Sequence, residues 1–358
     1  MSKLSLCARV TIDLSALRAN YKTLSALAPN SETGAAVKGE AYGLGLKPCV
    51  EALWKAGCRS FFVARPREGG DLRRILPKAK IYVLDGFYPG AAKYYLKHEL
   101  IPALISADEA HEWAVEAGDA PCAIHVDSGI NRVSFSYAAL KALVAEKVKL
   151  NIVLLISHLA SSEEPNNAFN ETQRQRFAQA RALLPKVKAS LANSSGCFLG
   201  KNFTLDLMRP GVALYGGNPL PGKPNPMKPV ATVEAQVLQL RDVAVGEAVG
   251  YNSTWTAARN SKIAVLGAGY RDGIPRRMSS VYGGNAQVWL GGKLCPIVGR
   301  VSMDMVTVDA TDADVKRGDW AEFFGSHISL DDAATSAGTI SWELLTHLGS
   351  RYSYKYLK

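Results

Sequence analysis

Through the first two thirds of the chain, short runs of valine, isoleucine and leucine alternate with stretches whose apolar residues recur every three or four positions. Short apolar runs bounded by turn-forming residues read as strands buried on both faces, and the pattern between them reads as amphipathic helix. The runs predict eight strands, at 34–38, 60–64, 80–85, 101–105, 123–127, 152–158, 189–192 and 203–208, with helices such as 47–56 and 171–184 between them and a leading helix at 14–27. Strands alternating with helices specify a parallel sheet, and eight of them close into a β/α barrel of the TIM type.

The texture changes after Asn218-Pro219-Leu220-Pro221-Gly222-Lys223-Pro224-Asn225-Pro226, where proline and glycine crowd together as they do in linkers. Beyond it, alternating apolar and polar residues predict strands at 232–239, 263–266, 286–290 and 305–308, separated by glycine-rich turns and with almost no helix before Thr339. The expectation is a barrel domain over 1–220 and a mostly antiparallel β-domain over 221–358, with the extreme N-terminus packing on the latter.

Composition narrows the function classes. The residues are 47% hydrophobic and 21% charged, with no low-complexity tract, which is a globular composition. A net charge of +10 invites a nucleic-acid reading, but the densest basic runs are the pairs Arg73-Arg74 and Arg276-Arg277, too scattered for a binding face. A mildly basic surface either draws in anionic ligands or merely keeps the protein soluble. No apolar run has the length of a membrane span, and the N-terminal residues lack the apolar core of a signal peptide, so a cytoplasmic protein is expected. Cys7, Cys49, Cys58, Cys122, Cys197 and Cys295 stand far apart without metal-ligand spacing, so reduced thiols are expected and neither zinc nor disulfides.

Active sites of β/α barrels gather at the carboxyl ends of the strands. There the sequence places Lys38, Asp127 with the segment to Arg132, His158, Asn193-Ser194-Ser195-Gly196, and Arg209-Pro210-Gly211-Val212. A lysine emerging from Ala35-Ala36-Val37 loses hydration and becomes a candidate Schiff-base nucleophile; the alternative is a rim lysine whose ammonium reaches water. The loops after strands seven and eight are where barrels hold phosphate on backbone N–H groups and small hydroxyls, and Asn193, Ser194, Gly211 and Val212 lie there. Arg209 stays protonated and can bond a ring nitrogen without giving up a proton. His158 is either a satisfied structural histidine or a group beside a cofactor ring.

The segment Ala36-Val37-Lys38-Gly39-Glu40-Ala41-Tyr42-Gly43-Leu44-Gly45 resembles the cofactor-binding signature of the bacterial alanine racemases. The match continues in order through Asp127 to Arg132, His158, Arg209 to Gly216, Gly250-Tyr251, Gly269 to Gly273 and Gly299 to Asp304, nearly the whole chain. The resemblance implies a homodimer that interconverts L- and D-alanine, with pyridoxal 5'-phosphate in Schiff-base linkage to Lys38. It implies that Lys38 takes the α-proton of D-alanine and that Tyr251, contributed by the β-domain of the other subunit, takes that of L-alanine. Inverting a carbon by proton removal and return needs one such group on each face. By the same resemblance, Arg209 faces the cofactor's ring nitrogen, and His158 and Arg209 polarise the site around Tyr251. Tyr42, Asn193, Ser194, Gly211 and Val212 fall at phosphate contacts, Arg132 and Met303 at the substrate carboxylate, and Tyr270, Arg276 and Arg300 along the entryway.

The chain departs from the pattern at two positions. Many members carry a carbamylated lysine seven residues before the arginine matched by Arg132; here that position is His125, which cannot reproduce a carbamate's negative charge. A phosphate-binding tyrosine near the C-terminus aligns with Ser350, with Tyr352 and Tyr354 close by as substitutes. Competing readings are a racemase for serine or basic amino acids, a decarboxylase of the same architecture, and a pyridoxal-phosphate carrier. The decarboxylase's glycine-rich phosphate stretch and cysteine-bearing motif are missing, and a carrier needs no β-domain bearing Tyr251 and Met303.

Overall fold

The computed structural model describes residues 7–358. The chain divides into two compact units, one formed by Leu17–Leu214 with Asn218–Met227, the other by the chain up to Ala16, Tyr215–Gly217 and Lys228–Lys358.

In the first unit, Ala35–Ala36, Ser60–Val63, Lys80–Val83, Leu100–Leu104, Pro121–His125, Asn151–Ile156 and Lys188–Ser190 form a seven-stranded sheet in sequential order, and every pairing is parallel. The apolar runs lie where the pattern predicts them, because both faces of each strand are covered. Alternate residues point to one interior: Ala36, Phe62, Tyr82, Ile101, Ala103, Ala123, Leu154, Ile156 and Leu207 pack as one buried cluster, with Phe62 stacked on Tyr82 at 4.9 Å. Helix Pro66–Ile75 packs against Ser60–Val63, Lys80–Val83 and Leu100–Leu104, and a further helix runs over Ala107–Ala117. The latter begins at Ser106, whose hydroxyl accepts the Glu109 amide, as an N-cap serine should. The leading helix is Leu14–Leu27, as predicted.

The expected eighth strand, 203–208, is much shorter. Lys201–Thr204 is helical, Leu205 takes a left-handed φ of 48°, and only Leu207–Met208 is extended, paired in parallel with Glu32–Thr33 in a separate two-stranded ladder. Isolated backbone bonds lie on both sides of this segment: Gly34 to Met208 O and Ala36 to Pro210 O, each 2.9 Å, then Asp206 to Ala189 O at 3.1 Å and Arg209 to Ala192 O at 2.9 Å.

The expected first strand also stops early, at Ala36. Gly39, Glu40, Ala41 and Tyr42 have φ of 62, 57, 55 and 58°, a turn of left-handed helix immediately after Lys38. Left-handed helix brings Cβ against the following carbonyl, at roughly 1–2 kcal/mol per non-glycine residue, so the surroundings must impose it. They do so through Ala41 N to Val37 O (2.9 Å), Gly43 N to Gly39 O (2.7 Å) and Gly45 N to Glu40 O (2.9 Å), and through the Glu68 carboxylate. One Glu68 oxygen accepts the Gly39 amide at 2.7 Å, while the other accepts those of Ala64 (2.7 Å) and Arg65 (3.1 Å).

In the second unit the sheet runs Lys293–Pro296, Gln287–Leu290, Trp320–Phe324, Ala231–Val243, Ala8–Asp13, Ser353–Leu357, and Ser261–Leu266 with Val306–Asp309 branches from Ala231–Val243. The pairings are antiparallel except Ala8–Asp13 with Ser353–Leu357, which is parallel. Ala8–Asp13 is buried at every second residue, so its inner face reads Ala8, Val10, Ile12. Helix appears earlier than expected, at Leu330–Ser336, capped by Ser329. None of the six cysteines is in a disulfide, and all but Cys7 are buried. No helix among the described residues is long and apolar enough to cross a membrane.

The left-handed turn reverses an ordinary mutational sign. Replacing glutamate by glycine in a right-handed helix costs roughly 1 kcal/mol. Glu40→Gly is expected to leave the thermal midpoint unchanged or raise it, because glycine alone adopts this conformation freely. A drop in the calorimetric midpoint like that of a surface-helix glycine would show the turn to be unstrained.

Candidate active site

Arg209 leaves the end of Leu207–Met208 and turns its side chain inward, where it is 7% exposed. Nη1 donates to Ser190 Oγ at 2.5 Å and Nη2 to Ser157 O at 2.6 Å, and the guanidinium faces the Phe62 ring at 5.9 Å. Burial lowers its pKa to about 10, with Cys197 acting the other way. No carboxylate pairs with it, and Nε makes no hydrogen bond among the described residues. Ser157 and Ser190 were not singled out from sequence; the available signal was a serine inside each of two apolar runs.

The two glycine-serine loops are built into one another. Ser194 Oγ, buried, accepts the Gly211 amide at 2.9 Å and the Ala213 amide at 3.2 Å. Asn193 braces its own turn by accepting Gly196 N at 2.9 Å and Ser162 Oγ at 2.8 Å on its side-chain oxygen. Val212 opens the buried Val212–Tyr215 turn. A Cβ on Gly211 would lie 2.2 Å from Tyr42 Oη, so only glycine lets the phenol reach this loop. Burial pushes the Tyr42 phenol up to about 12, and its ring packs against the barrel interior.

Lys38 is exposed, at the start of the left-handed turn. The burial expected from its apolar flanks is therefore absent. Glu68, which fixes the next peptide, was another residue not anticipated.

Two histidines stand in the field of these cations. His158 follows Asn151–Ile156 and is held by its backbone, the carbonyl accepting Gln173 Nε2 at 3.0 Å. Burial first, then Arg209, Arg132, His125 and Lys38, hold its pKa well below the usual range. His125 ends Pro121–His125, is 6% exposed, and neither ring nitrogen has a hydrogen-bond partner among the described residues. Burial, then Arg209 and Arg132, lower it to about 4 against a smaller opposing effect of Asp127. Both imidazoles are therefore neutral near pH 7. The Arg132 loop springs from this strand: Phe135 N bonds His125 O and Asp127 N bonds Phe135 O, each at 2.7 Å, while the Asp127 carboxylate accepts the amides of Gly129 and Asn131. Arg132 itself is exposed without an ion pair among the described residues.

The remaining predicted residues lie in the second unit. Tyr251 opens the Tyr251–Ser253 turn and is 68% exposed. Gly250, at φ 82°, packs its backbone against Arg300 N, and Arg300 Nε is buried without a hydrogen-bond partner among the described residues. Met303, 50% exposed, sits in the turn closed by Ser302, whose hydroxyl receives Met305 N at 3.0 Å and donates to Met305 O at 2.9 Å. Tyr270 is exposed, its amide bonded to Ser302 O at 2.9 Å, and Arg276 Nη1 donates to Tyr282 Oη at 2.7 Å. Near the C-terminus Ser350 is exposed, whereas Tyr352 is buried, its hydroxyl without a hydrogen-bond partner among the described residues.

Family models match the chain on both sides of the linker. The N-terminal domain of alanine racemase matches residues 12–219 and the C-terminal domain of alanine racemase matches residues 230–356. The chain is 45% identical to the alanine racemase of Methylobacterium nodulans over 360 residues, covering 98% of this chain and 96% of that protein. Among solved structures, the alanine racemase of Bartonella henselae with covalently bound pyridoxal phosphate is 40% identical and superposes with a TM-score of 0.93, over 99% of this chain and 100% of that one. The biosynthetic alanine racemase of Pseudomonas aeruginosa, 33% identical, gives 0.92 over the same shares. A chain matched along both domains at these identities belongs to the alanine racemase family.

Proposed function

We propose that this protein interconverts L- and D-alanine on pyridoxal 5'-phosphate carried by Lys38. The observation that carries the reading is the buried, carboxylate-free Arg209 at the same end of the sheet as Lys38 and the Ser194–Gly211 cradle. The cradle fits the cofactor's phosphate: the place a Cβ would fill at Gly211 is kept clear, and Tyr42, Asn193, Ser194, Gly211 and Val212 would hold the anion. Arg209 would face the ring nitrogen with N–H groups left over from Ser190 and Ser157, and neutral His158 would lie beside the ring. When bound, pyridoxal phosphate supplies the conjugated system that spreads negative charge from the α-carbon.

The chain's own residues divide the remaining work. Lys38 exchanges the α-proton on one face, and Tyr251 of a second copy on the other. Arg132 and the Met303 turn bind the substrate carboxylate; Arg132 is free of acidic partners, and the Met303 amide makes no hydrogen bond among the described residues. Tyr270, Arg276 and Arg300 line the approach.

The same reading has the barrel closed by Leu207–Met208 as its eighth strand, supported by the bonds from Gly34, Ala36, Asp206 and Arg209. It divides the chain near residue 220 and pairs two copies through the face bearing Tyr251, Tyr270, Tyr282, Met303 and Met305, all exposed in the single chain. Six unpaired cysteines support a cytoplasmic setting.

If Lys38 and Tyr251 serve one site from two chains, Lys38→Ala and Tyr251→Phe homodimers are both nearly inactive. Mixed under exchanging conditions they recover about a quarter of wild-type activity, since half the dimers are mixed and each holds one intact site. Verified exchange without recovery in a chiral alanine assay would place both groups in one chain.

His125 links the site to pH. Its folded pKa of about 4 lies below the ordinary 6.5, so the unfolded chain takes up a proton that the folded chain refuses. The stability due to its neutrality is complete above pH 6.5 and lost as pH falls toward 4, by about 2 kcal/mol at pH 5. His125→Gln should flatten the fall in urea-unfolding free energy between pH 7.5 and 5 by that amount. Identical slopes in the two proteins would show the imidazole to be solvated.

A further inference from the structure

Three backbone segments of the second unit meet so closely that side chains are excluded between them. A Cβ on Gly269 would lie 2.4 Å from Ser302 O and 2.5 Å from Met303 O, one on Gly273 would lie 2.3 Å from His347 O, and one on Gly349 would lie 2.8 Å from Arg271 O. Backbone bonds cross the junction, from Tyr270 N to Ser302 O (2.9 Å), Arg271 N to Met303 O (3.0 Å) and Gly349 N to Asp272 O (3.1 Å). Arg351 sits over it. Its Nε and Nη2 grip the two Asp272 oxygens at 2.7 Å each, Nη1 bonds Asp304 Oδ1 at 2.7 Å, and Nη2 reaches Met303 O at 3.4 Å.

Asp272 is 3% exposed, and its Oδ2 also accepts the Gly269 amide at 2.9 Å. A buried carboxylate held by a planar fork fixes both direction and distance, which a lysine ammonium cannot do. The other arm of the guanidinium ends on the residue after Met303. Arg351 thus ties the Gly269–Gly273 turn, which carries Tyr270, to the Ser302–Met305 turn, which carries Met303.

We propose that Arg351 is a positioning residue for substrate binding: by clamping Asp272 and Asp304 it sets the Met303 turn at the distance required to receive the substrate carboxylate. The inference rests on the racemase reading, in which Met303 contacts that carboxylate. Arg351 touches no reacting atom and acts through the turn. Its loss should appear in affinity for carboxylates, with little change in turnover.

The test uses the holoenzyme and four proteins: unsubstituted, Arg351→Lys, Asp304→Asn and Arg259→Lys. The last weakens another arginine–aspartate fork of the same unit, Arg259 on Asp312, which is exposed and away from these turns. Arg351→Lys is expected to raise the KM for alanine about tenfold with kcat within about twofold, and to weaken inhibition by propionate, a bare carboxylate, by the same factor. The visible spectrum of the bound cofactor should not change. Asp304→Asn, which removes only the exposed arm, should raise both constants about threefold without lowering the thermal midpoint, and it carries the test if Arg351→Lys fails to fold. Arg259→Lys should change neither constant. Unchanged KM and propionate affinity in Asp304→Asn and any folded Arg351→Lys, or equal changes in Arg259→Lys, would overturn the clamp while leaving the racemase reading intact. Absence of alanine racemisation by the unsubstituted holoenzyme would overturn the racemase reading, and the clamp with it.

Discussion

Arg209 keeps its charge inside the barrel unit with, among the described residues, only a hydroxyl and a peptide carbonyl as partners, and the neighbouring groups respond to that charge. Burying an ion without a counter-ion is costly, and two hydrogen bonds offset only part of the lost hydration. Further positive charge beside it is disfavoured. Burial first, and this charge second, make His158 and His125 protonate only under more acid conditions than a free imidazole. With Lys38 and Arg132 also at this end of the sheet, the mouth is electropositive and suited to a phosphate and a carboxylate.

The barrel was legible because its strands are buried on both faces and announce themselves as continuous apolar runs. The helix at Leu14–Leu27 was equally plain from its periodicity. Strand ends were not, since what stops them is local conformation: the left-handed residues after Lys38 and Leu205 at φ 48° leave no trace in hydrophobicity. In the β unit, Ser353–Leu357 was missed because each of its residues is at least partly exposed, so the apolar alternation is weak. Trp320–Phe324 reads as a run no longer than many core fragments.

At the site, residue types that carry chemistry were recognisable in order along the chain, whereas the residues that support them were not. Ser157, Ser190, Glu68 and Arg351 are ordinary in sequence and become informative only when their partners are known. His125 was conspicuous as a departure from a pattern, but its isolation is a property of packing: two enclosed ring nitrogens without a hydrogen-bond partner among the described residues. Lys38 misled in the opposite direction, since the apolar residues before it in sequence do not bury its side chain.

The Ala8–Asp13 strand has a consequence for synthesis. It lies between Ala231–Val243 and Ser353–Leu357, so neither of its partners exists when it leaves the ribosome. At 5–20 residues per second the nearer partner arrives roughly 10–40 s later, and the other later still. The main run of the barrel unit, Leu17–Leu214, is contiguous and can fold meanwhile. The nascent chain therefore carries an apolar, two-edged strand ahead of a folding barrel. That interval is when chaperone capture or pairing with a neighbouring nascent chain would compete with the native sheet.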